Sequence, residues 1–162
     1  MSIQRAFASV VAVVIAAAAF ASIVGAAGTT ATKQRIAIVE KVSLTGGKST
    51  FELIPLSPGP LKHDFVTLEP SGEFTGYITR NGLRIQVGAG ADNLTGTRGS
   101  FRLTAQIEHV PITGGYYADS GEWSLSAGTG VYASVSGGGR FAAVVLPSGR
   151  ILGRSEGFIR TS

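Results

Sequence analysis

From residue 35 onward, apolar and polar positions alternate with a period of two. RIAIVEKVSL, residues 35–44, sets Ile36, Ile38, Val42 and Leu44 on one face, as in a half-buried strand. SFRLTAQIEHV, residues 100–110, sets Phe101, Leu103, Ala105 and Ile107 against Arg102, Thr104, Gln106 and Glu108. FAAVVL, residues 141–146, is apolar on both faces, the pattern of a strand covered on both sides. Beyond the N-terminal segment, no long stretch repeats apolar groups every 3.6 residues behind a capping residue. Strands are expected at about 35–44, 49–57, 63–69, 73–80, 83–89, 100–110, 116–127, 139–146 and 150–160, bounded by turn residues.

The turns support this division. EFTGYITRNGLRIQV carries Asn81-Gly82 at its centre, the pair favoured by a two-residue type I′ turn. That turn predicts Arg80 opposite Leu83, Ile78 opposite Ile85 and Gly76 opposite Val87, with apolar faces matched. A second hairpin is expected at VVLPSGRIL, with Pro147 opening the turn and Gly149 leaving it. Several strands open with a glycine just before an aromatic, as in Gly99-Ser100-Phe101 and Gly139-Arg140-Phe141. The fold class is therefore all-β: a meander of eight or nine antiparallel strands. Closing into an up-and-down barrel would best protect its edges.

Residues 1–27 interrupt the pattern. Arg5 precedes a long alanine- and valine-rich run, and Val24-Gly25-Ala26 offers small residues for cleavage. These are the marks of a signal peptide, a helical export segment, and they predict a secreted or periplasmic protein. The alternative is an uncleaved membrane anchor. Residues 28–34, GTTATKQ, read as a flexible leader before a single domain spanning 35–162. There is no cysteine, so neither disulfides nor a lipid-modified cysteine can contribute. Fourteen Lys+Arg against ten Asp+Glu leave a net charge of +4. The charges are interspersed, and no basic run suggests a nucleic-acid partner.

SAGTGVYASVSGGGRF, residues 126–141, contains Gly128-Thr129-Gly130-Val131-Tyr132-Ala133 and fits a dinucleotide fingerprint on paper. That fingerprint needs a helix after its glycines to hold the phosphates. Three consecutive glycines, 137–139, deny it one. A loop, a short turn around Tyr132 and another strand are expected instead, with no nucleotide and no cofactor. Gly153-Arg154-Ser155-Glu156-Gly157 matches a nucleophile elbow. It has no helix after the serine, and both histidines lie upstream. No metal is expected. In strands, His63 and Asp64 point to opposite faces, as do Glu108 and His109.

Two polar residues sit on otherwise apolar faces. Glu40 shares the face of Ile36, Ile38, Val42 and Leu44, and His109 continues the face of Phe101 to Ile107. Each is either solvated near a strand end or placed in a functional lumen. Tyr117, Asp119 and Trp123 share a face, a mixture found in ligand pockets and in ordinary β-cores.

GEWSLSAGTGVYASVSGGGRFAAVV, residues 121–145, resembles the signature region of the allene oxide cyclase and dirigent β-barrels. Gly128, Thr129, Gly130 and Tyr132 match its core, and Gly137 or Gly139 its later glycine. TGTRGSFRLTAQIEHV occupies the place of the family's preceding long strand. The resemblance implies an eight-stranded antiparallel barrel with an apolar lumen, commonly a homo-oligomer. It also implies chemistry by confinement: cyclising epoxides, steering radical coupling or closing rings. On that basis Glu40 is the candidate catalytic carboxylate. His109, Tyr117, Asp119, Trp123 and Tyr132 are candidate ligand contacts. Gly82, Gly128, Gly130 and Gly139 are structural glycines. The expected function is binding of a small lipophilic molecule in the lumen. The alternatives are a cofactor-free cyclase, isomerase or dirigent-like activity, or a filled structural β-protein.

Overall fold

The computed structural model describes residues 32–45, 49–69, 72–126 and 128–161. The expected signal peptide and the first four residues of the leader lie outside them. Among the described residues there are nine strands: β1 Thr32–Ser43, β2 Thr50–Pro55, β3 Asp64–Glu69, β4 Gly72–Arg80, β5 Leu83–Gly96, β6 Gly99–Pro111, β7 Tyr117–Ser126, β8 Val135–Val145 and β9 Arg150–Thr161. They form one antiparallel sheet in the order β3-β2-β1-β9-β8-β7-β6-β5-β4, and a further β3–β5 pairing closes it into a ring. Among the described residues, no helix is long and apolar enough to cross a membrane.

The closure depends on the length of β5. Its first half, Leu83–Gly90, pairs with β4, and Asn93–Gly96 pairs with β3. Two short strands thus share one edge of a long one, so the ring is eight strands around with β4 extending one wall. The Asn81-Gly82 turn takes φ of 52° and 77°, as a type I′ turn requires. Ile78 faces Ile85, Arg80 faces Leu83 and Gly76 faces Val87. At the second hairpin, Gly149 N–H donates to Leu146 O at 2.9 Å and has φ of 77°. This is a type I turn followed by a left-handed glycine.

Three expectations require correction. Residues 32–34, assigned to the leader, belong to β1, which pairs there with β9. Gln34 is buried, and its side chain bonds the backbone of Leu61 and Ser57. β5 runs on to Gly96 through GAGADNLTG, which reads as a loop by composition but is paired with β6 throughout and, on its other edge, with β4 up to Gly90 and β3 from Asn93. β8 starts at Val135, so Gly137, Gly138 and Gly139 are strand residues facing Leu125, Ser124 and Trp123.

The glycine-rich stretch does turn a corner. A short 3-10 turn, Gly130–Tyr132, links β7 to β8. A Cβ on Gly128 would lie 1.6 Å from the Ser100 carbonyl oxygen, and one on Gly130 would lie 2.2 Å from that of Arg98. Only glycine lets this loop close over the start of β6. A Cβ on Gly139 would meet the Glu156 oxygen at 2.0 Å, so the β8–β9 approach also requires glycine.

The two ends of the ring are unlike. At the end holding the start of β1 and the end of β9, Ile36, Leu53, Leu61, Leu94, Tyr132 and Ile159 are all nearly inaccessible. At the other end, the inner faces leave a cavity.

Candidate functional site

The cavity measures about 290 Å³, near the lower end of small-molecule pockets. Its walls are mostly apolar: Ile38 and Val42 of β1, Phe51 of β2, Phe74 of β4, Leu103 and Ile107 of β6, and Phe141 and Val145 of β8. Trp123 is buried at its inner end. The ring has space because β9 places Gly157 beneath it: a Cβ there would come within 2.7 Å of the tryptophan's Cζ2. The Trp123 indole N–H donates to the Arg140 carbonyl at 3.2 Å.

Polar side chains interrupt this wall at a few points. Glu40 projects into the cavity from β1 and folds over Gly153, its partner on β9. Burial raises its pKa, and the carboxylates of Asp92 and Asp119 add to the effect, taking it from 4.5 to about 7. Each charge disfavours another nearby of the same sign. His109 and Asp119 are directly paired across β6 and β7, with Nδ1 and Oδ1 2.5 Å apart. With Asp119 ionised, the imidazole Nδ1–H is the donor. The His109 ring stacks on Tyr117 at 4.1 Å between centroids and packs against Phe74 at 5.0 Å. Only 13% of the His109 side chain and 12% of that of Asp119 remain accessible. Burial pushes the Asp119 carboxyl up, and the His109 bond offsets only part of that rise.

The structure thus brings together Glu40, His109, Asp119 and Trp123 on the cavity wall, while Tyr117 stacks on His109 and does not itself line the cavity. Tyr132, expected among the ligand contacts, is not part of this wall. It belongs to the turn folded across the closed end, where its ring packs on Phe101 and its hydroxyl donates to Asp64 at 2.8 Å. The resemblance that offered Tyr132 as a ligand contact is corrected: Tyr132 is a buried plug of the closed end. Three polar residues of the wall were missed, Glu73, Asp92 and Ser155. Asp92 shares parity with Leu94, a signal hidden because the glycines and alanines before it conceal a strand. Ser155 follows Ile151 and Gly153 at the same period.

Among the described residues, no three His, Asp or Glu side chains converge as metal ligands. Among the described residues of 126–141, the sole helical piece is the short 3-10 turn Gly130–Tyr132. No family model, curated protein or solved structure matches the chain.

Proposed function

We propose that this is an exported, barrel-like protein that binds a small lipophilic molecule in its lumen. One observation carries the reading: the ring is packed solid at one end and hollow at the other. The hollow is apolar apart from a few inward polar groups. That is the composition of a ligand pocket, in which apolar walls supply affinity and a few polar groups orient the guest. Export rests on the character of residues 1–27. The allene oxide cyclase and dirigent type of barrel rests on the 121–145 letters, with the eight-around ring in its support.

The experiment is a titration with an apolar fluorescent probe, read through quenching of Trp123, the sole tryptophan. Saturable quenching is expected, with the probe displaced by small hydrophobic molecules. Ala105→Leu, which fills the lumen from β6, should abolish it while leaving the unfolding transition in place. Binding that is unsaturable, or indifferent to that substitution, would refute a luminal site.

A second reading is catalysis by confinement, as a cofactor-free cyclase or isomerase. A carboxyl held near pKa 7 and a carboxylate-oriented imidazole share one apolar chamber, which suits proton transfer to a bound substrate. Turnover of a lipophilic epoxide or polyene, lost in Glu40→Gln with ligand binding retained, would establish it.

A further inference from the structure

The cavity wall is one-sided in charge. Side chains from eight strands line it, together with Leu44 just beyond β1, and among the described residues none of the lining groups is a lysine or arginine. The charged and titratable groups facing it are Glu40 on β1, Glu73 on β4, Asp92 on β5, His109 on β6 and Asp119 on β7. β2, β8 and β9 contribute only apolar groups and the hydroxyl of Ser155. The single basic group among the described lining residues, His109, is already taken up by Asp119. The chain as a whole is basic, so this sign is opposite to that of the protein that surrounds it.

The rest of the wall agrees with the charge. Trp123, Phe74, Phe51 and Phe141 present aromatic rings to the same space. Ring faces attract cations through their quadrupole and give anions no such benefit. Among the described lining residues, an anionic guest would meet several carboxylates and no unshared positive charge, in a setting with little water to screen them. A metal ion is a poor fit, because the carboxylates do not converge as ligands. The space is that of about ten water molecules at ~30 Å³ each, enough for one aromatic or branched aliphatic body with a compact head group.

Building on the reading of the lumen as a ligand site, we infer that its guest is a small lipophilic cation. The chemical class is an aryl-alkyl or branched aliphatic amine, or a quaternary ammonium. The apolar body lies among the rings and the positive head lies against Glu40 and its neighbouring carboxylates. Lipophilic carboxylates, such as fatty acids, are the guests this wall excludes.

Benzyltrimethylammonium tests this directly, because its charge does not titrate. Its uncharged carbon isostere, neopentylbenzene, and the anion 3-phenylpropionate are the comparators. With full-length protein at about pH 8, the cation should bind about tenfold or more tighter than the isostere, and the anion should not bind measurably. The preference should weaken toward about pH 5.5, since Glu40 gains its proton and loses its charge there. Glu40→Gln should cut the cation's advantage to within about threefold of the isostere, without loss of isostere binding. Equal binding of cation and isostere, or a cation preference unchanged in Glu40→Gln, would overturn the cation assignment and leave the luminal site standing. If the cation, the isostere and the apolar probe all fail to quench Trp123, the luminal site itself falls.

Discussion

Glu40 and Asp64 both project from inner strand faces, and their surroundings push them in opposite directions. For Asp64, burial acts upward. The Tyr132 hydroxyl, the Thr97 hydroxyl and amide, and the Arg98 amide outweigh it and hold the carboxyl below 3.8. A folded-state pKa below the unfolded one contributes stability above the unfolded value and loses it as pH falls through the folded value. Tyr132→Phe removes one of these donors. It should cost about 1–3 kcal/mol near neutral pH, and the gap to the parent should shrink in urea titrations below about pH 4. Glu40 is the reverse case. Its pKa rises from 4.5 to about 7, so the native state holds that proton more tightly than the unfolded chain does. Its contribution is fully present below 4.5 and is lost as pH climbs through about 7. Glu40→Gln should therefore raise stability by roughly 1–3 kcal/mol at about pH 8 and change it little at about pH 4. Melting curves across that range provide the check, and a pH-independent difference would contradict a desolvated carboxylate.

Among the elements, the β4–β5 hairpin and the β7–β8 loop depend on glycine for different reasons. A Cβ on Gly82 would meet nothing within 4 Å, but the residue holds φ of 77°. Gly82→Val should cost about 1–2 kcal/mol of purely conformational strain, seen as a lower denaturation midpoint with an unchanged slope. At Gly128 the obstacle is contact: a Cβ would overlap the Ser100 carbonyl oxygen. Even Gly128→Ala should therefore cost more than Gly82→Val, because the loop must leave its seat on β6. β4 is the third element with a distinct expectation. It pairs only with β5 among the described strands, and almost all its residues are exposed. Its amides should exchange first among the long strands. Protection of 72–80 equal to that of β1 or β9 would show a partner on its outer edge.

The whole molecule is organised by the contrast between its ends. At one, Gln34 and Tyr132 fold polar groups onto Leu61 and Asp64 and complete a dense core. At the other, Glu40 and the His109–Asp119 pair face a hollow. A guest bound there should raise the melting temperature in proportion to the logarithm of its concentration. It should also slow exchange at the open-end halves of β1 and β6 more than at the closed end. Uniform protection of both ends would point to a surface site instead.

Much of this was present in the letters. The strands around Ile36 to Leu44 and Phe101 to His109 and the Asn81-Gly82 turn rest on local rules. Side-chain alternation and turn stereochemistry act over a few residues, and the amino acids themselves enforce them. Parity alone set Glu40 on the face of Ile38, and Tyr117, Asp119 and Trp123 on one face. What parity could not decide was which edges meet. GAGADNLTG is a strand because β6 holds one edge and β3 and β4 share the other, and only that pairing turns Asp92 inward. The register of β6 on β7, set by the Ile112–Tyr116 connection, places His109 against Asp119. The path of the Gly130–Tyr132 turn sends Tyr132 to the closed end and leaves the open end empty. Burial, charge coupling and cavity volume arise from contacts between residues far apart in sequence. Those contacts exist only once the ring has closed, so the lumen and its one-sided charge were decided by the tertiary structure alone.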